Sequence, residues 1–214
     1  GDGSLSVALI QAAIQKEQAP AYLSFVCYET DPQLATICRT TLGAASLEAA
    51  DAGLNVDWVV YERDFLDVWR GRYQPELLDS DPDEAMFDIA IMNPPYFKLA
   101  GDSVDARSMP HIVSGQPNIY ALFMAAAVDM LNGGGRLVAI TPRSYCNGPY
   151  FRRFRNWLFD RIHPSLFHVF RSRKKPFSND AVLQETIILV ATTRTNDSFT
   201  TISVSEDGAF SDVS

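Results

Sequence analysis

Apolar positions recur along this 214-residue chain with two alternating periods. Residues 4–16 repeat them at helical spacing, and residues 23–29 (Leu-Ser-Phe-Val-Cys-Tyr-Glu) form an apolar run of strand length, read as a buried strand. Asp31 and Pro32 then supply a cap and a first-turn proline, and Leu34, Ile37, Cys38, Leu42 and Ala45 follow on one helical face. Strands are predicted at 58–61 and 87–92. A helix is predicted over 119–131, with Ile119, Leu122, Phe123, Ala126 and Met130 on one side and Gly133-Gly134-Gly135 ending it. Residues 137–141 read as a strand, 151–162 as a helix rich in Arg and aromatics, and 166–170 and 186–191 as the last clear strands. Strands separated by helices predict an α/β domain with a mostly parallel sheet. No obvious helix separates the last two strands, so they are expected to pair antiparallel. Residues 74–85, acidic with two prolines, and residues 100–117 read as loops.

One tetrapeptide changes this picture from a fold to a chemistry. Asn93-Pro94-Pro95-Tyr96 follows the strand at 87–92, at the carboxyl end where open α/β sheets place their ligands. Two prolines fix φ and remove two N–H donors, so the local carbonyls are held rigidly without internal partners. The Asn93 side chain adds an oxygen acceptor, and the Tyr96 ring adds a flat face. Together they predict a slot for a planar group bearing NH₂, with two acceptors for its two hydrogens and a ring to stack on. At the start of the chain, Gly1-x-Gly3 leads straight into a helix, as the second part of a phosphate- or cofactor-binding turn would.

Composition narrows the classes. With 47% apolar and 21% charged residues the chain can build one sizeable core or two small ones, and it is not disordered. No apolar run approaches the roughly 20 residues needed to cross a bilayer, and the first residues lack the basic and apolar regions of a signal peptide. Cys27, Cys38 and Cys146 occur singly, which argues against a disulfide framework or a four-ligand zinc site and for a reducing, intracellular setting. The three histidines stand far from any ligand-like set, so no metal is expected. The net charge is −8, yet nine basic residues (Arg143, Arg152, Arg153, Arg155, Arg161, Arg171, Arg173, Lys174 and Lys175) share residues 143–175 with one acid, Asp160. That polarity fits a polyanion held on one side of a domain, and equally a solvated basic helix face.

Asn-Pro-Pro-Tyr after an apolar strand resembles the catalytic motif of S-adenosylmethionine-dependent N6-adenine DNA methyltransferases, and the flanks agree. Gly1-Asp2-Gly3-Ser4-Leu5 resembles the second half of their glycine-rich cofactor loop. Tyr28-Glu29-Thr30-Asp31 resembles the acidic position that binds the cofactor ribose, and Arg63-Asp64-Phe65-Leu66 the segment that holds its adenine. The stretch from Asn118-Ile119-Tyr120 to Pro149-Tyr150-Phe151 follows the family's helix–Gly–strand–Asn-Gly-x-Tyr-Phe order. Ser172-Arg173-Lys174-Lys175-Pro176-Phe177, then Val182-Leu183-Gln184-Glu185, is similar to restriction-modification adenine methylases of the PstI/BsuBI kind.

The resemblance implies a Rossmann-like methyltransferase fold, a mostly parallel sheet with an antiparallel last strand, over one catalytic domain spanning 1–214. The family's first strand, the first half of its glycine loop and a target-recognition domain are expected to lie outside this chain. It implies S-adenosylmethionine as cofactor, bound by Gly1, Gly3, Glu29, Asp64 and Phe65, with Asp67 competing for the role of Asp64. Asn93, Pro94, Pro95 and Tyr96 would be catalytic. Tyr96 and Phe177 would stack on a flipped-out adenine, while Lys98, Arg152 and Arg153 would meet the DNA backbone. Double-stranded DNA and a cognate restriction endonuclease are the implied partners, in the cytoplasm, with no membrane and no metal. Methylation of a protein glutamine, whose amide is also planar and bears NH₂, methylation of RNA, and an inactive DNA-binding fragment are the alternatives.

Overall fold

The computed structural model describes residues 1–16, 20–73, 86–113, 115–170, 185–193 and 199–205. The chain forms two compact units, Gly1–Asp83 and Glu84–Ser214. In the first, α1 (Ser4–Ile14), β1 (Tyr22–Tyr28), α2 (Pro32–Asp51), β2 (Asn55–Tyr61) and α3 (Phe65–Tyr73) follow in order. β1 and β2 pair parallel, from Tyr22 with Asn55 to Tyr28 with Tyr61. Asp31 caps α2 as the sequence predicts: its carboxylate accepts from the Gln33 and Leu34 N–H groups at 2.8 and 3.1 Å, and Pro32 opens the helix. Ile10, Phe25, Cys38, Leu42 and Leu54 are buried at the centre of this unit. Phe25 is the single fully buried residue of β1, so this strand is less buried than its apolar run suggests. Among the described residues β1 has β2 as its one strand neighbour.

The second unit holds β3 (Phe87–Met92), α4 (Val104–Ser108), α5 (Ile119–Asp129), β4 (Leu131–Pro142), α6 (Arg152–Phe159), β5 (Ile162–Phe170), β6 (Thr186–Thr193) and β7 (Thr201–Ser205). Its five-stranded sheet has the order β3-β4-β6-β5-β7. β3–β4 and β5–β7 pair parallel, whereas β6 runs against both β4 and β5. β6 is thus the antiparallel strand expected near the end of the chain, and β7, which the apolar pattern did not reveal, follows it. α4 also falls inside the stretch read as a loop. It begins at Ser103, whose hydroxyl accepts from the Ala106 N–H at 3.2 Å.

The glycine run plays a different part from the one expected. α5 ends at Asp129 with Met130 as its cap, and β4 begins at Leu131, taking all three glycines into the strand. Phe87 pairs with Leu131 but Ile89 pairs with Arg136, so β4 bulges across the glycines. At Gly135 a Cβ would lie 2.9 Å from the Asn132 carbonyl oxygen and 3.1 Å from that of Phe87, so a side chain there would push strands apart.

Among the described residues, no helix is long and apolar enough to cross a membrane, and no group of three His, Cys, Asp or Glu is placed to hold a metal ion. β7 is fastened to β5 by His168, whose ring nitrogens each lie 2.8 Å from a hydroxyl, Nδ1 from Ser203 and Nε2 from Ser205. Burial holds the pKa of His168 below the usual 6.5. A depressed folded-state pKa stabilises the fold above the unfolded value and loses that contribution as pH falls through the folded one. Stability should therefore decline as pH drops below about 6.5, ahead of the carboxylates. In His168→Gln, chemical denaturation at pH 5 and pH 7.5 should give a flatter dependence; an unchanged one would mean that another group titrates.

Candidate active site

The β3–β4 ladder runs through Met92, opposite Ala139, and the next residues of β3 are Asn93 and two prolines without N–H groups. Pro94 is buried, Asn93 and Pro95 are exposed, and Tyr96 is half-buried. The Tyr96 hydroxyl turns back into the motif, 2.5 Å from Asn93 Oδ1 and 2.8 Å from the Ile140 carbonyl oxygen on β4. The chain leaving the motif is also clamped. Lys98 bridges antiparallel to Asn118, the Leu99 N–H donates to the Pro117 carbonyl at 2.8 Å, and the Ile119 N–H donates to the Phe97 carbonyl at 2.9 Å. The segment 100–117 is therefore closed at its neck. At Gly101 a Cβ would lie 2.7 Å from the Gly115 carbonyl oxygen, so glycine lets the two limbs approach.

Behind Tyr96 stands an aromatic wall that is not evident in the sequence pattern. The Tyr96 ring meets Tyr120 edge-on, with centroids 6.4 Å apart. Tyr120 in turn stacks on Phe151 at 5.7 Å and touches Tyr145 at 6.1 Å, which meets Phe154 edge-on at 5.7 Å. The Tyr120 hydroxyl is 2.9 Å from Ser144 Oγ. Burial drives the phenol pKa of both Tyr120 and Tyr145 well above the ordinary value, so both remain neutral and rigidly packed. The signal was in the sequence, since α5 carries apolar residues all round, but a one-sided reading of that helix passes over Tyr120.

The structure divides the basic block. Arg155 donates to the carbonyls of Tyr145, Asn147 and Gly148 at 3.0, 3.0 and 2.9 Å, tying the turn after β4 to α6. Arg161 lies 4.4 Å over the Trp157 ring, and Arg143 pairs with Glu185. Arg155 is thereby tied into the fold, whereas Arg143 and Arg161 remain exposed. Arg152 and Arg153 are exposed, with Arg153 in a long 3.5 Å contact with the Val113 carbonyl. Lys98 is exposed too. Arg171, Arg173, Lys174, Lys175 and Phe177 lie outside the described residues. A cleft of about 1010 Å³ opens nearby between Asn118, Ser144 and Asn147 on one side and Phe159, Phe167 and Ile187 on the other, but neither Asn93 nor Tyr96 lines it. Its size therefore says nothing about the chemistry of the tetrapeptide.

In the first unit the expected cofactor residues converge at the carboxyl ends of β1 and β2. Gly3 caps α1 at φ 88°, a left-handed conformation suited to glycine, and a Cβ there would lie 3.3 Å from Cys38 Sγ. The Gly1 amino group contacts the Glu29 carboxylate, whose other oxygen accepts from the Asp31 N–H at 2.8 Å. Asp64 Oδ1 accepts from the Leu66 N–H at 2.7 Å. Phe65 and Tyr61 flank Tyr28, with ring centroids 5.5 and 5.8 Å from it. Asp67 forms an ion pair with Arg70 one helical turn on. A glycine turn, two oriented carboxylates and an aromatic edge fit a nucleoside bearing vicinal hydroxyls.

Residues 14–177 match the family described as Eco57I restriction-modification methylase. Type II methyltransferase M.PstI of Providencia stuartii is 35% identical over 188 residues, covering 88% of this chain and 36% of that protein. Type II methyltransferase M.BsuBI of Bacillus subtilis is 40% identical over 129 residues, covering 60% of this chain and 26% of that protein. The chain thus spans a minor part of either relative's length. Among solved structures, the type IIG restriction endonuclease BpuSI superposes with a TM-score of 0.62 at 15% identity, covering 95% of this chain and 26% of that one. A Listeria monocytogenes protein described as a class I S-adenosylmethionine-dependent methyltransferase superposes with a TM-score of 0.57 at 12% identity, covering 94% and 63%. The fold expected from the sequence is the fold found.

The division of the arginines has a direct consequence. Arg155→Ala should lower unfolding free energy by about 1–3 kcal/mol, since three charge-assisted bonds to carbonyls are lost. The Arg152→Ala, Arg153→Ala pair should stay within about 0.5 kcal/mol of the parent. Urea unfolding measures both, and equal losses would erase the distinction.

Proposed function

The chain belongs to the Eco57I restriction-modification methylase family, and from that premise we propose that its polypeptide transfers a methyl group from S-adenosylmethionine to N6 of an adenine swung out of double-stranded DNA. The observation that carries this reading is the Asn93-Pro94-Pro95-Tyr96 slot at the carboxyl end of β3, with its hydroxyl anchored on β4. Residues 1–214 act as one catalytic domain in this reading.

Adenine N6 is a poor nucleophile because its lone pair is delocalised into the ring. The Asn93 side-chain oxygen and the Pro94 carbonyl accept its two hydrogens and favour a tetrahedral nitrogen. They also stabilise the positive charge that grows there, because they are oriented before the reaction begins. Pro94 and Pro95 keep those acceptors from moving. No strong base is needed, since the methylated nitrogen loses its proton readily. In a duplex N6 is paired and stacked, so the base must leave the helix to reach the slot. Tyr96 stacks on one face and Phe177, by family resemblance, on the other, each stack worth about 1–3 kcal/mol.

Gly1, Gly3, Glu29, Asp64 and Phe65 hold the cofactor, with Glu29 accepting from the ribose hydroxyls and Asp64 from the adenine amino group. Bound there, S-adenosylmethionine supplies a methyl group already activated on its sulfonium. Arg152, Arg153 and Lys98 meet phosphates, and a restriction endonuclease shares the recognition site. The reaction takes place in the cytoplasm.

Methyl transfer from labelled cofactor to unmethylated duplex DNA, followed by nucleoside analysis, tests this reading. The label should appear in N6-methyl-2′-deoxyadenosine, and Asn93→Ala should lower turnover by about 10²–10³ while cofactor binding survives. Label on cytosine, or on a protein glutamine and not on DNA, would overturn it. Replacing Arg152 and Arg153 by Ala should also flatten the dependence of log affinity on log salt by about 1.8, the contribution of two phosphate contacts. An unchanged slope would remove these two residues from the DNA interface.

A further inference from the structure

Among the described residues, the Tyr96 hydroxyl, with its one proton, has Asn93 Oδ1 at 2.5 Å and the Ile140 carbonyl oxygen at 2.8 Å. It cannot donate to both. The Ile140 carbonyl is always an acceptor, and Pro94, two residues beyond Met92 and so the next whose N–H would face β4, has no N–H to offer it. The Asn93 amide is different, because turning it end for end exchanges an acceptor for a donor without moving the side chain. We infer that Tyr96 is a positioning residue for Asn93. Its hydroxyl donates to the Ile140 carbonyl and accepts from Asn93 Nδ2, and this turns Asn93 Oδ1 away from Tyr96 and towards the substrate.

The substrate side agrees with this arrangement. An amino group presents two donors. With the amide in the opposite sense, Nδ2 would face that group, donor against donor, and the slot would repel what it must hold. The Tyr96 hydroxyl therefore fixes a choice that the Asn93 backbone leaves open. It does so from β4, through a carbonyl that Pro94 leaves for it. The ring of Tyr96 stacks on the base and its hydroxyl orients the acceptor, so one side chain carries two separable functions.

This inference rests on the methyltransferase reading, and it can be tested apart from it. In the whole polypeptide with duplex DNA and cofactor, Tyr96→Phe keeps the stacking face. The single-turnover rate at saturating DNA should fall about ten-fold, the effect of one lost hydrogen bond to an acting group. The KM for DNA should be unchanged, as should the fluorescence rise of a 2-aminopurine placed at the target. In an Asn93→Ala background the same substitution should change the rate by less than about two-fold, because the hydroxyl then has nothing to orient. A Tyr96→Phe rate within two-fold of the parent, or an equal loss in both backgrounds, overturns the inference. If the parent methylates no adenine, the functional reading fails instead, and side-chain amide NMR still decides this point. Solvent exchange of the Asn93 NH₂ should be about ten-fold slower in the parent than in Tyr96→Phe, as expected for one hydrogen bond. Equal exchange in the two proteins would show that Nδ2 does not face Tyr96.

Discussion

A parallel strand that runs into two prolines cannot continue its ladder, and the candidate site is built on that constraint. β3 pairs with β4 through Met92, and Pro94 then withholds the next N–H that would face β4. What the backbone cannot supply, the Tyr96 hydroxyl supplies to the Ile140 carbonyl. The end of the strand is thereby fixed on β4 by a side chain, while residues 93–97 lie beyond the ladder, so the carbonyls of the motif are not spent on the sheet. An acceptor slot for an NH₂ group needs this combination, because acceptors already paired within the fold could not hold a substrate.

The rest of the second unit holds this corner still. The neck formed by residues 97–99 and 117–119 clamps the chain leaving the motif, and α5 begins directly after it with its buried Tyr120 against Tyr96. Phe151, Tyr145 and Phe154 extend that wall, and Arg155 draws the turn carrying Tyr145 onto α6 through three carbonyls. An arginine counted in the basic block of the sequence thus helps to hold the turn that carries Tyr145. Burial, and not proximity to charge, is the leading cause of the raised Tyr120 and Tyr145 pKa values, which marks the wall as packing and not as acid–base machinery.

Much of this was legible in the chain because it depends on local rules. The β3 boundaries follow from an apolar run, the α2 start from Asp31 and Pro32, and the slot from four adjacent residues. The convergence of Gly1 with Glu29 also followed from motif order. What the chain concealed depends on contacts between distant residues. The three glycines after α5 look like a helix stop, yet they serve a bulge forced by the approach of Asn132 and Phe87. β7 is short, and its register is set by β5 and not by its own pattern. The partners of Arg143, Arg155 and Arg161 are invisible in a charge count, because they are set by residues distant in the chain or by the turn of a helix. Asn93 and Tyr96 are named by the sequence singly, but the contact of the Tyr96 hydroxyl with β4 is not, since Ile140 lies 44 residues away.

The central claim is that this slot holds the amino group of an extrahelical adenine. The most direct measurement is a crystal structure of the whole polypeptide with its cognate duplex and a non-reactive cofactor analogue. The account predicts the target adenine outside the helix, its N6 about 3 Å from both Asn93 Oδ1 and the Pro94 carbonyl, as hydrogen bonds require. An adenine still stacked in the duplex, or an extrahelical base whose N6 is bonded elsewhere, would contradict it.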